Sequence, residues 1–322
     1  MTEILLVSFG VATAALVLAA ALSPIETLSW WAGWTDRDAT SEPQGAAPTD
    51  KQRAFIVYLS GVAALSGEYM IARERIFLRR LGERLPDAAI VTEVFPYSPS
   101  GAPLLATPRL FDRLWRWLQK LRLQERRSVL KSLINLRNIY QVMVSADHRY
   151  GPIFSQGAAD VIESALWRAG YSRGSPVFII GYSGGAQVAV GAAPFLAAQL
   201  DCAIDVISVG GVIASDPGLA SLRKLHHFAG ARDRIEKVGA VMFAERWALM
   251  ANSHWNRAKR AGRISINRLA GITHAGPQGY FGLPKLNGVS NNETMADAVA
   301  AIVFKSGEWS GDGSAQSLSA DG

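Results

Sequence analysis

The sequence predicts an α/β protein with a mostly parallel central sheet, helices on both of its faces, and one transmembrane helix ahead of it. Three observations carry this. Strand-like runs of β-branched and aromatic residues alternate with helical stretches from residue 54 to residue 305. The first of these, AFIVYLSG and AAIVTEVFPY with an amphipathic helix between them, have the β, α, β rhythm of a parallel sheet. Ahead of them, Ile4 to Leu22 is a run of nineteen residues with no charge and no proline.

That run is the first element. As a helix it would extend about 30 Å, the thickness of a hydrocarbon core. Glu3 bounds it on one side, Pro24 and Glu26 on the other, and Trp30, Trp31 and Trp34 follow where an interfacial aromatic belt would sit. Residues 1–34 therefore read as a retained anchor. Cleavage as a signal peptide is the competing reading, because AAALS offers small residues, but no Lys or Arg precedes the apolar run. Arg37 between Asp36 and Asp38 gives a slight lean towards a C-terminal domain on the cytoplasmic side.

Residues 35–53 are small, polar and proline-containing, a linker composition. The domain, residues 54–306, starts with AFIVYLSG (54–61) as a buried strand, EYMIARERIFLRRLGERL (68–85) as an amphipathic helix and AAIVTEVFPY (88–97) as a second strand. A basic insert, residues 101–137, interrupts this rhythm. The pattern then resumes with a helix over 157–170, the strand PVFIIGYS, a helix over 187–200, strands over 203–212, 224–233 and 263–274, and a closing helix over 294–304. From Gly307 the chain is rich in Gly, Ser and Asp, the composition of a flexible tail.

Composition and charge narrow the function classes. At 322 residues, 49% hydrophobic and 19% charged, the chain can bury a large core. The single cysteine, Cys202, excludes an intramolecular disulfide, and none of the five histidines has HExxH spacing, so no zinc reading is available. No metal or organic cofactor is implied. The net charge of +6 is concentrated: from Arg109 to Arg137, nine Lys and Arg face only Asp112 and Glu125, a local +7 that leaves the remainder at −1. Such a block fits an anionic surface rather than nucleic acid. Thr107 and Pro108 supply a helix cap and first turn, after which Leu110, Phe111, Leu114, Trp115, Leu118 and Leu121 fall on one face and Arg109, Arg113, Arg116 and Lys120 on the other. Two readings stand: an ordinary lid helix, or a helix in the membrane interface with Trp115 and Trp117 at headgroup depth and a lipid bilayer as partner.

The strand PVFIIGYS ends in Gly-Tyr-Ser-Gly-Gly and the chain then turns helical. A serine on a sharp strand-to-helix turn projects its hydroxyl above the sheet edge, where side chains two residues either way would collide. Gly181 and Gly185 fit that need, and Gly184 would offer its N–H from a helix start to an oxyanion. An alcohol is a weak nucleophile at neutral pH and needs a base, itself oriented by a third group. Asp233 follows the strand LHHFAG in ARDRI, and His274 follows the last strand in GITHAGPQGYFG. Asp216 in IASDPG is the rival acid. His226 and His227 lie inside a strand and read as packing or hydrogen-bonded residues, while His148 and His254 have no motif around them.

Through GYSGG as nucleophile elbow, GARD as acid loop and THAG as histidine loop, residues 54–305 resemble the α/β-hydrolase fold superfamily. The resemblance implies a Ser183, Asp233, His274 triad, an oxyanion hole from the N–H groups of Gly184 and Val62, and an esterase, lipase or thioesterase acting on a hydrophobic acyl ester. Many members have His-Gly where this chain has Ser60-Gly61. Two alternatives remain open at this point: a non-catalytic membrane-tethered scaffold on the same fold, and an acyltransferase or peptidase using the same triad.

Overall fold

The computed structural model describes residues 54–63, 71–97, 128–286 and 288–306, together with Ala14, Leu18, Leu22 and Leu28. Apart from those isolated positions, the anchor, the linker, the helix bearing Arg109, Arg113, Trp115, Arg116, Trp117 and Lys120, and the tail lie outside the described residues. Among the described residues no helix is long and apolar enough to cross a membrane.

Six strands form one parallel sheet: β1 (Ala54–Leu59), β2 (Ala88–Val91), β3 (Val177–Tyr182), β4 (Ile204–Val209), β5 (Lys224–Gly230) and β6 (Ile264–Leu269), in the order β2-β1-β3-β4-β5-β6. β1, β3 and β4 are buried along their whole length, as apolar strands covered on both faces must be. On one face α3 (Gly151–Arg168) and α4 (Gly185–Leu200) pack Phe154, Ile162, Leu166, Val188 and Leu196 against the sheet. On the other, α1 (Ala72–Arg84) and α7 (Asn291–Ser306) contribute Phe77, Leu81, Met295 and Val299. The remaining helices are α2 (Ser128–Ser145), α5 (Arg234–Met242) and α6 (His254–Arg260), and Lys285–Leu286 pairs with Val289–Ser290 in a small antiparallel ribbon.

Strand order reverses between β1 and β3. Loops leaving the carboxyl ends of two such strands diverge to opposite faces and open a crevice, the place where ligands bind in open α/β sheets. The segment Ser60 to Val62 leaves β1 there, and Ser183 leaves β3 beside it.

Several boundaries differ from the sequence reading. The predicted strand over 88–97 ends at Val91: β2 is an edge strand, Pro96 has no N–H for a ladder, and Phe95 and Tyr97 turn inward to be buried. The helix predicted over 157–170 begins six residues earlier, with Pro152 in its first turn. The closing helix likewise runs from Asn291 to Ser306. The last part of the basic insert is not separate from the domain, because Ser128 to Ser145 is one helix whose Arg137, Asn138 and Gln141 are buried. The helices α5 and α6 were not expected from the sequence.

One position breaks the apolar pattern of α1. Its buried residues are Glu74, Phe77, Leu78 and Leu81, a core-facing stripe at helical spacing with a carboxylic acid in its first place. Tyr58 Oη on β1 donates to Glu74 Oε2 at 2.9 Å. Burial pushes the Glu74 carboxyl up to about 7 against the opposing effect of that hydrogen bond. An unfolded glutamate releases its proton at about 4.3. Between these values the folded chain binds more protons than the unfolded one, so this group's contribution to stability falls as pH rises through that window. Glu74→Gln is expected to remove the fall and raise stability at about pH 8 by up to about 3 kcal/mol, with little change at about pH 4, as measured by urea unfolding at the two pH values.

Candidate active site

Ser183 is held in the left-handed region, φ 53°, a conformation disfavoured for a residue with a side chain. The packing around it explains how this is sustained. A Cβ on Gly181 would lie 2.4 Å from Ala186 Cα, one on Gly185 2.5 Å from the Leu59 carbonyl oxygen, and one on Gly184 2.5 Å from Val142 Cγ2. The start of α4 is pressed against β1 and β3 so closely that only glycine fits, and Ser183 is left at the tip of the turn. Its carbonyl accepts from Ala186 N and Val212 N, both at 3.2 Å, and its N–H donates to the Val209 carbonyl at 3.1 Å.

Asp233 follows β5 and caps α5. Its Oδ1 accepts from the N–H groups of Ile235 (2.9 Å) and Glu236 (3.0 Å). This spends one oxygen on the helix and turns the other towards the crevice. Oδ2 lies 2.9 Å from His274 Nδ1 and accepts from Tyr280 Oη at 2.9 Å. The carboxylate is wholly buried. Burial pushes its pKa up, but the His274 hydrogen bond and charge, the Glu236 N–H and the Tyr280 hydroxyl outweigh that and hold it below the ordinary aspartate range.

His274 sits in the loop after β6, which turns at Gly271 with φ 71°. Its Nε2 is 2.9 Å from Ser183 Oγ, so the imidazole bridges Ser183 and Asp233. Tyr182 fixes it twice: the two rings stack with centroids 5.4 Å apart, and Tyr182 Oη donates to the His274 carbonyl at 2.7 Å.

Gly184 and Val62 meet at the other side of Ser183. Both line its cavity, and a Cβ on Gly184 would be 3.1 Å from Val62 Cγ1. Two residues that the sequence did not single out hold this corner. Asn138 Nδ2 donates to the Val62 carbonyl (2.7 Å) and Tyr97 Oη to the Ser60 carbonyl (2.9 Å), which fixes the peptides before and after the one that carries the Val62 N–H. Tyr280 is a third such residue; its hydroxyl also accepts from Gly230 N at 2.7 Å, tying the acid to the end of β5.

The competing residues are engaged elsewhere. Asp216 accepts from Gln187 Nε2 (2.8 Å) and Gly218 N (2.7 Å) and caps the short 3₁₀ turn Pro217–Ala220. His227 is buried between Ser208 Oγ (2.9 Å) and Glu236 Oε1 (3.2 Å), and burial pushes its pKa down, keeping it neutral. Arg246 completes that cluster, 3.4 Å from Glu236 and stacked over Trp255. His148 pairs with Glu245 and His254 with Arg257 at the surface.

Above Ser183 opens a chamber of about 470 Å³, within the size range of small-molecule sites. Ile139, Val142 and Met143 of α2 form one wall, Ile235, Val238 and Met242 of α5 the opposite one. Its lining is almost entirely apolar, and several of these residues stand open at the rim, Met143, Val238 and Met242 each more than half exposed.

The sheet order, the turn after β3 and the loops after β5 and β6 are arranged as the resemblance to the α/β-hydrolase fold implies. Comparison with protein-family profiles and with curated proteins finds no match. Among solved structures the chain is similar to esterase PE8 (13% identity, 81% of this chain and 97% of that one, TM-score 0.42) and to an esterase from the archaeon Pyrobaculum calidifontis (12%, 91% and 93%, 0.41). A dienelactone hydrolase from Anabaena variabilis is similar at 15% identity, covering 82% of this chain and 87% of that one, with a TM-score of 0.39. At this distance nothing about substrate passes from them to this chain.

Two variants test the acid. Asp233→Asn is expected to lower kcat/KM for an activated ester by about 10³-fold or more, because an amide cannot stabilise the imidazolium. Its stability profile should also change. An acid held below its free value, about 3.9, contributes stability above that pH and loses it as pH falls through the folded value, so the variant should lack part of the wild type's acid-limb loss in thermal melts. Tyr280→Phe removes one of four donors to the carboxylate and is expected to lower kcat about three- to tenfold with KM nearly unchanged, measured by steady-state kinetics.

Proposed function

We propose that this protein is a serine hydrolase that cleaves carboxylic esters or thioesters of a hydrophobic acyl group. The observation that carries the reading is the unbroken hydrogen-bonded line from Ser183 through His274 to Asp233, opening into an apolar chamber. Ser183 Oγ attacks the acyl carbonyl while His274 Nε2 takes its proton, and Asp233 stabilises the imidazolium. The oxyanion develops against the N–H groups of Gly184 and Val62, aided by the positive end of α4. His274 returns the proton to the leaving oxygen or sulfur, and water releases the acyl group from Ser183. Among the described residues no Lys, Arg, Asp or Glu lines the chamber, which supports an acyl chain as its occupant.

We further infer that the enzyme works at a bilayer. The support lies in the sequence: the apolar run Ile4 to Leu22, the tryptophans after it, and the basic, tryptophan-bearing stretch with Arg109, Arg113, Trp115, Arg116, Trp117 and Lys120. A tethered domain meets lipid-borne esters at high effective concentration.

Fluorophosphonate labelling tests the chemistry. Wild type is expected to label at one site, and Ser183→Ala and His274→Ala to lose labelling; an unlabelled, folded wild type overturns the reading. A series of p-nitrophenyl esters tests the acyl group. Each methylene buried is worth about 0.8 kcal/mol, so kcat/KM should rise up to about fourfold per methylene until the chamber is filled. A profile that peaks at acetate would exclude the chamber as the acyl site.

A further inference from the structure

Beside His274 lies a second, smaller cavity of about 60 Å³, walled by Ile71, Arg73, Glu74, Tyr182, His274 and Phe281 together with Ala275, Gly276 and Gly279. It shares Ile71, Tyr182, His274 and Ala275 with the large chamber, so the histidine borders both spaces. The two differ in chemistry. The chamber is apolar, whereas the annex has a carboxyl and a guanidinium in its wall.

The carboxyl is out of place for packing. Glu74 occupies a core position of α1, is 2% exposed, and replaces the apolar side chain that the stripe with Phe77, Leu78 and Leu81 calls for. Burying it is costly, and strongly perturbed acids in clefts beside catalytic groups are candidates for function. The annex also has the size and polarity to hold water. One molecule needs about 10–15 Å³ of accessible volume and two to four polar partners.

Resting on the serine-hydrolase reading, we propose that the annex holds the hydroxyl acceptor of the deacylation step, with Glu74 as the residue that positions it for His274. In that step the acceptor oxygen bonds to the acyl carbon as its proton passes to His274 Nε2. The oxyanion then collapses, the bond from Ser183 Oγ to carbon breaks, and the proton moves from Nε2 to Oγ. Glu74 gives and takes no net proton. Its hydrogen bond orients the acceptor. The size of the annex fits water, which gives the free acid, or the hydroxyl of a small alcohol, which gives an ester.

The groups facing Glu74 set the pH at which this works. Tyr58 of β1, Tyr182 of β3 and Tyr97 after β2 approach it from the sheet side, Arg73 stands beside it on α1, and His274 closes the annex. On the α7 side, Glu293 and Asp297 are held by Arg80 and Arg84 further along α1. With its carboxyl raised by burial to about 7, Glu74 ionises within the working range of a histidine base.

The test uses the full-length chain acylated with a p-nitrophenyl ester, the decay of the acyl-enzyme followed by intact mass after quenching, in buffer with and without methanol. Fluorophosphonate labelling at wild-type stoichiometry reports an intact Ser183 and His274 in each variant. Glu74→Leu is expected to label fully yet lose acyl groups about tenfold more slowly. Glu74→Gln, which keeps a hydrogen-bonding side chain, should stay within about threefold but lose the inflection in deacylation near pH 7. If hydrolysis and methanolysis fall together in Glu74→Leu, the annex serves any small hydroxyl; if methyl ester gains on free acid among the products, it serves water alone. Both outcomes support the proposal. Fully labelled Glu74→Leu that deacylates at the wild-type rate overturns it, while a wild type that neither labels nor acylates overturns the hydrolase reading and this inference with it.

Discussion

The carboxylate of Asp233 is the point on which the site hangs. It accepts four hydrogen bonds from three directions: two from the first turn of α5, one from Tyr280, one from His274. The same two oxygens therefore start a helix, anchor the loop that carries the base, and orient the imidazole. Tyr280 extends the tie to the last residue of β5 through Gly230 N. A buried carboxylate without these donors would be driven towards its neutral form, and with them it stays charged. Negative charge is delivered to His274 Nδ1 at the end of a chain of bonds that also positions its carrier.

The serine end depends on the opposite kind of force. There the backbone is strained and sterics hold it: Gly181 and Gly185 allow α4 to enter the sheet edge more closely than any side chain would permit, and Gly184 leaves room for Val142 of α2. Attraction fixes the acid and base; exclusion fixes the nucleophile. The chamber between α2 and α5 belongs to neither, being formed by apolar residues of two helices that meet over the site without filling it.

What could be read from the sequence follows from this division. Ser183, Asp233 and His274 were legible because each lies at a strand end with its own turn chemistry and they come in a recognisable chain order. Gly181 and Gly185 were legible for the same local reason. Tyr280, Tyr97 and Asn138 were not: each acts on a residue 37 to 76 positions away, and a tyrosine in a loop or an asparagine on a helix carries no local mark of such a partner. The helix α5 carries Ile235, Val238 and Met242 at helical spacing, but it is only nine residues long and has Gly239 among them, so the pattern is too brief to mark a helix in the sequence. The second strand was drawn too long because burial of Phe95 and Tyr97 resembles a strand pattern, although they are buried by a turn.

The adjacency of β1 and β3 has a consequence for how the chain acquires its chemistry. Val62 and Ser183 are neighbours in space but more than a hundred residues apart in sequence, with α1, β2, α2 and α3 all inserted between them. Their meeting requires the parallel pairing of β1 with β3, a non-local contact whose loop-closure entropy makes it slow relative to helix formation. Reactivity of Ser183 should therefore emerge late during refolding, after the helices and together with the closing of that seam. Until the sheet is joined, a nascent or partly folded chain holds Ser183 and Val62 apart.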